Sequence, residues 1–302
     1  MCGIVGVLVK RERARTQLGT LVVPMLACMD ARGPDSAGLA VFHDATPAGA
    51  RRMSLFAPDR AYPWCTLADR LGADLDGTAT IVAHENLAVA TSSLAPTAVR
   101  AWIETHAPAV RVLGVGRRMD VYKDVGRAPD IARRFDFARL AGTHCVGHTR
   151  MATESAVSPA HAHPFTAGED FCLVHNGSLS NPHMIRRQLE ARGIRFETDN
   201  DSEAACRWIA WRLAEGDDVE TALGRALRVL DGFFTLLVGT AEGLTLVRDA
   251  FACKPAVVAE TDDWVAVASE FRALAHLPGI ADADIFEPRP ERVYTWAVDR
   301  EP

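Results

Sequence analysis

Residues 2–9 read Cys2-Gly3-Ile4-Val5-Gly6-Val7-Leu8-Val9, directly after Met1. Ile4–Val9 is a short apolar run of β type, and a strand here begins almost at the chain end. A methionine followed by a small residue suits removal by an aminopeptidase. Cys2 would then carry a thiol and a free α-amine, with reference pKa values of about 8.5 and about 8. The amine can take the thiol proton directly or through one water, as N-terminal threonine nucleophiles use their own amine. The plainer reading is a small buried residue opening a strand. A signal peptide fits poorly, because no basic segment precedes the run and Lys10-Arg11-Glu12-Arg13 follows it.

Working outward, Leu18, Leu21, Val22, Met25 and Met29 recur at three- and four-residue spacings, the mark of a helix. Gly33-Pro34 ends it, and a strand follows at about 39–42. In the middle, 80–90 reads as strand, 95–106 as helix and 110–115 as strand. Residues 127–140 then read as helix, leading into a strand at 143–148. The run 171–175 is a buried-type strand ending in Asn176-Gly177. Helices are expected at about 182–192, 202–215 and 219–230. Strands are expected at 233–240, 244–247, 256–259, 264–268 and 293–298. Turn residues such as Glu242-Gly243 and Asp262-Asp263 separate these last strands closely, so antiparallel hairpins are expected. Runs of strands beside grouped helices point to layered α+β architecture in one domain spanning 1–302.

With 302 residues, 48% of them hydrophobic, the chain can bury a substantial core. A net charge of −6 argues against nucleic acid or an anionic membrane as partner. The positive charge is almost all arginine, since Lys10, Lys123 and Lys254 are the only lysines. Seven cysteines, an odd number with no CxxC spacing, suit buried thiols in a reducing compartment. No apolar run approaches the roughly 18 residues of a membrane span. A cytoplasmic protein is expected.

Four further segments carry chemistry. Arg150 follows a buried-type strand and can hold a carboxylate through two parallel hydrogen bonds, or make a surface salt bridge. Asn176-Gly177 is either a turn or an oxyanion hole built from the Asn176 amide and the Gly177 N–H. Asp201, in Asp199-Asn200-Asp201-Ser202-Glu203, lies at a helix start, where Asn200 and Glu203 match a capping box. Its acidic side chain can favour the helix or face a ligand ammonium group. His144, Cys145, His148, His161 and His163 are close in sequence, but their spacing fits no common zinc pattern, and no metal is expected.

Taken in order, Cys2-Gly3-Ile4-Val5-Gly6, Arg32-Gly33-Pro34-Asp35-Ser36-Ala37-Gly38, Gly147-His148-Thr149-Arg150, His175-Asn176-Gly177 and Asn200-Asp201-Ser202-Glu203 resemble the class II glutamine amidotransferases, a branch of the N-terminal-nucleophile hydrolases. Arg248-Asp249, Lys254-Pro255 and Ala268-Ser269-Glu270 resemble later strands of the same domain. The resemblance implies a four-layer αββα sandwich of two antiparallel sheets. The stretch at about 50–112 falls outside it and reads as an inserted α/β subdomain. Among family members the pattern is most similar to separately encoded amidotransferase subunits of glutamate-synthase-like enzymes, N-methylglutamate synthase in particular.

On this resemblance Cys2 is the nucleophile and its α-amine the base. Asn176 and Gly177 stabilise the oxyanion. Arg150 holds the α-carboxylate of L-glutamine with help from Thr153, Asp201 holds the α-ammonium, His175 belongs to the same substrate site, and Arg32 supports the loop around the nucleophile. No phosphate-binding glycine loop or nucleotide-binding unit is evident, so ammonia is expected to be used on separate synthase subunits. No cofactor is expected in this chain, and flavin only on a partner. A free-standing γ-glutamyl amidohydrolase and an inactive scaffolding subunit are the alternatives.

Overall fold

The computed structural model describes residues 1–152 and 156–298. β1 (Gly3–Val9) is buried along its whole length. After a 3-10 segment, α1 (Leu18–Met29) buries Leu18, Leu21, Val22, Met25 and Met29, the spacing read from sequence. β2 (Ser36–Phe42), β3 (Arg51–Phe56), α2 (Trp64–Asp74), β4 (Ala79–His84), β5 (Leu87–Ser92), α3 (Pro96–His106) and β6 (Arg111–Gly116) follow. Next come β7 (Met119–Val125), α4 (Ala128–Arg134), β8 (His144–Arg150), β9 (Phe165–Thr166) and β10 (Phe171–Leu179). Three helices stand together: α5 (Pro182–Glu190), α6 (Asp201–Ala214) and α7 (Val219–Val229). The chain closes with β11 (Gly232–Thr240), β12 (Gly243–Arg248), β13 (Val257–Glu260), β14 (Trp264–Ala268), β15 (Asp284–Phe286) and β16 (Tyr294–Ala297).

Seven strands form one sheet in the order β15-β13-β14-β1-β8-β2-β7, and five form a second, β16-β12-β11-β10-β9. Every pairing within both is antiparallel. The sheets meet face to face through small residues: a Cβ at Gly6 would lie 2.7 Å from Leu237, and one at Gly239 2.7 Å from Phe42. Val174, Leu237, Leu244 and Leu246 join the apolar residues of β1, β2 and β8 in one buried cluster. The helix α1 covers the outer face of the larger sheet, where a Cβ at Gly147 would meet Leu26. The helices α5, α6 and α7 cover the smaller sheet through Ile185, Leu189, Ile209, Leu223 and Leu173. Helix, sheet, sheet, helix: the expected α+β sandwich is the one observed.

The middle of the chain builds a third sheet, β4-β5-β3-β6, also antiparallel throughout. It packs α2 and α3 into a core of its own around Leu55, Trp64, Leu71, Val99 and Trp102. Residues 80–90 are two strands rather than one, because the chain reverses at Glu85-Asn86, with Glu85 at φ +53°. The helix read over 127–140 stops at Arg134; Asp136 turns left-handed at φ +52° and only a 3-10 turn follows. Among the described residues, no helix is long and apolar enough to cross a membrane.

Candidate active site

The antiparallel pairing brings the start of β1, the ends of β8 and β14 and the start of β2 to one end of the larger sheet. Gly3 pairs with Thr149 and Ser36 with Arg150, which sets Cys2 beside Arg150 although 148 residues separate them. The entry to β1 is tied down. Ile4 N–H donates to Ser269 Oγ at 2.9 Å and Ser269 N–H to the Ile4 carbonyl at 3.0 Å. Arg32 Nε donates to the Cys2 carbonyl at 2.9 Å, and Glu270 holds the same guanidinium at 2.5 Å. Arg32 therefore touches the backbone of Cys2 directly. Glu270 is the partner the sequence reading did not assign.

Cys2, Arg150, His175, Gly177 and Asp201 line one cavity of ≈ 280 Å³, with Met151, His163, His183 and Asp199 among its other walls. Cys2 Sγ approaches the Met151 carbonyl at 3.8 Å. Burial pushes the Cys2 thiol up; the Met151 carbonyl, the N-terminal ammonium, Arg150 and Arg32 pull the other way. The resting group is a thiol. In the chain with Met1 present, the terminal ammonium belongs to that residue and lies 3.0 Å from Met151 Sδ.

Arg150 is 3% exposed and donates to the Ala156 carbonyl at 3.0 Å. Burial lowers its pKa, while Cys2, Asp35, Asp201 and Asp199 favour the charge. It is a buried group rather than a surface one. Asp201 is the first residue of α6, and Asn200 is its cap, accepting from Ser202 N–H at 2.8 Å. Glu203 accepts from Glu197 N–H at 2.8 Å and Thr198 N–H at 2.7 Å, so it shapes the loop before the helix. With capping assigned to Asn200, Asp201 points into the cavity: one oxygen takes Leu179 N–H at 2.9 Å and the other lies 3.8 Å from His175 Nδ1.

No turn forms at Asn176-Gly177. β10 runs straight through both residues, pairing Asn176 with Thr235 and Gly177 with Phe234. Gly177 has φ +155°, and a Cβ there would overlap the Phe233 carbonyl, so glycine is required. Strand alternation separates the neighbours. His175 and Gly177 face the cavity, whereas Asn176 lies on the inter-sheet side with Cys172 and Val174, 2% exposed, its Nδ2 without a hydrogen-bond partner. Thr153 falls outside the described residues.

Three buried histidines stand behind the cavity. His163 stacks on His148 at 4.0 Å, His148 Nε2 lies 3.0 Å from the His175 carbonyl, and His175 Nδ1 bonds Ser202 Oγ at 2.8 Å. Burial lowers all three pKa values, that of His148 to about 3. Of the other residues weighed as metal donors, His144 stacks on Phe42 and His161 pairs with Asp199.

One small cavity holds a thiol, a guanidinium and a carboxylate at the end of facing antiparallel sheets. The chain belongs to the glutamine amidotransferases. Residues 148–276 match the glutamine amidotransferase domain family. The chain is 49% identical over 302 residues to the glutamine amidotransferase-like protein GlxB of Rhizobium meliloti (strain 1021), covering 98% of each. It is 32% identical over 308 residues to a putative glutamine amidotransferase of Methanothermobacter thermautotrophicus, covering 97% of this chain and 99% of that one. Among solved structures, the glutamine phosphoribosylpyrophosphate amidotransferase of B. subtilis superposes with a TM-score of 0.62 over 99% of this chain. At 16% identity that likeness is one of fold, and the chain spans half the length of that structure.

Proposed function

We propose that the mature chain hydrolyses L-glutamine to glutamate and ammonia through a γ-glutamyl thioester on Cys2. The reading rests on Cys2, Arg150 and Asp201 lining the same cavity. Arg150 takes the α-carboxylate and Asp201 the α-ammonium, which leaves the side-chain amide to extend toward Cys2 Sγ. The α-amine freed by loss of Met1 takes the thiol proton, and sulfur attacks the δ-carbonyl. The negative oxygen is met by Gly177 N–H at the cavity wall, and the Asn176 amide, held on the inter-sheet side at rest, must turn toward the cavity to join it. Collapse breaks the C–N bond, the amine returns its proton to the leaving nitrogen, and ammonia departs. Water then attacks the thioester, releasing glutamate and restoring the thiol. The ammonia goes to a separate glutamate-synthase-like subunit, of the N-methylglutamate synthase type. Flavin chemistry, where used, belongs to that partner.

The test is a cleavable N-terminal tag whose removal leaves Cys2 as the first residue. The tagged chain should release no glutamate and should not react with an electrophilic glutamine analogue. The cleaved chain should do both, with the adduct mass on Cys2, and Cys2→Ala should do neither while keeping its fold. Equal turnover with and without the tag would overturn the proposal.

A further inference from the structure

A second cavity, of ≈ 430 Å³, lies between the third sheet and the catalytic sandwich. It is separated from the first by two chain segments: Phe165 and Thr198 face the second cavity, while His163 and Asp199 face the first. Its wall contains Lys123, which is 5% exposed. The ammonium donates to the carbonyls of Ala162 at 2.8 Å and Pro164 at 3.1 Å and lies 5.1 Å from the centre of the Phe165 ring. A buried ammonium costs several kcal/mol unless an anion offsets it, and it has three protons to place. Burial draws the Lys123 pKa down to about 8, against the fields of Glu197, Cys206 and Glu203.

The carboxylates of this cavity are committed elsewhere. Arg207 lies 2.6 Å from Glu203 and 3.5 Å from Glu197, and Arg51 holds Glu169 at 2.7 Å. Among the described residues, no carboxylate oxygen comes within the 4.0 Å of an ion pair for Lys123, Arg100 or Arg111, all of which line the space. Arg100 is itself half-buried, and burial lowers its pKa. Leu113 and Phe165 supply an apolar wall. Three cations without a close anion, one of them almost fully buried, beside apolar surface describe a site for an amphipathic anion.

We propose that this cavity binds a small organic anion, a carboxylate or phosphate on a short apolar body, through Lys123, Arg100 and Arg111. The position fits a ligand other than glutamine, because Arg150 and Asp201 do not reach it.

Isothermal titration of the full chain with glutarate, and separately with inorganic phosphate, tests the assignment. At least one probe should bind saturably. Arg100→Gln and Arg111→Gln should each weaken that binding about tenfold or more, with unchanged glutaminase activity. Arg150→Gln should leave it intact, which separates this site from the glutamine cavity, where a dicarboxylate can also lodge. Lys123→Met should abolish binding; because it alters a buried position, the two arginine variants decide the matter if it fails to fold. Binding of one probe alone identifies the head group. No saturable binding of either probe, or binding lost in Arg150→Gln but retained in Arg100→Gln, overturns the proposal.

Discussion

Asp201 and Asn176 show how one side chain can be read for structure or for chemistry, and where each reading wins. Asn200 caps α6, so the Asp201 carboxylate is left for the cavity and for Leu179 N–H. Asp201→Asn keeps the shape and removes the charge. A hydrogen bond to a charged group is worth about 1.5–3 kcal/mol, so KM for glutamine should rise about 10- to 100-fold with kcat little changed. Steady-state kinetics check this, and an unchanged KM removes Asp201 from ammonium recognition. Asn176 carries the opposite signature, since its Nδ2 has no partner at rest. Asn176→Ala should lower kcat about 10²- to 10³-fold and spare KM, as loss of an oxyanion donor does. Cys2, Arg150, Gly177 and Asp201, each picked out in sequence by a short ordered motif, line one cavity in the fold. Glu270, His163 and Met151 were not assigned roles, because contact with Arg32, His148 and Cys2 is made only by folding.

At the scale of the element, periodic apolar runs were read well and charged strands poorly. β7 is the clearest case: Asp120, Lys123 and Asp124 give it the look of a loop, yet all three are buried. Most of their partners lie far away in the chain. Asp120 pairs with Arg52 and His43, Asp124 accepts from Asn86 and Arg134, and Lys123 reaches carbonyls near His163. Compensation of that kind leaves no local trace in composition. Asn176-Gly177 misleads in the other direction, a turn signal that β11 overrides by pairing through it. One loop residue joins the third sheet to the sandwich. The Asp170 carboxylate accepts from Arg117, Arg118 and Met119 N–H at 2.9, 2.8 and 3.0 Å, fixing the turn between β6 and β7. Asp170→Ala strands three backbone donors, and loses about 3 kcal/mol on the scale of buried charge-assisted hydrogen bonds. Urea denaturation of the variant reads that loss directly. A midpoint equal to wild type would mean that the other contacts at this junction, Arg52–Asp120 and Asn86–Asp124 among them, hold the third sheet without Asp170.

Across the whole molecule, residues from widely separated parts of the sequence are gathered at one end of two sheets, and the space behind them is filled by neutral histidines. His148, His163 and His175 are each held below the ordinary histidine pKa by burial, His148 to about 3. The sign follows from linkage. An unfolded chain takes up these three protons as pH falls through about 6.5, while the folded chain leaves the rings uncharged, so protons favour the unfolded state. Stability contributed by the cluster is complete above that pH and is lost as pH drops toward the folded values. His148 and His163 together correspond to a slope approaching about 2.7 kcal/mol per pH unit below pH ~6, and His175 adds to it in the same direction. Folding free energy measured by denaturant titration from pH 8 to pH 5 should therefore be flat at first and then fall steeply. Replacing His163, whose two ring nitrogens make no hydrogen bond, with phenylalanine should reduce the slope by about one proton. A profile equally steep in that variant would remove His163 from the acid response, since carboxylates such as Glu203, which Thr198, Glu197 N–H and Arg207 keep ionised against its burial, lose their contribution only below about pH 4.5, outside this range.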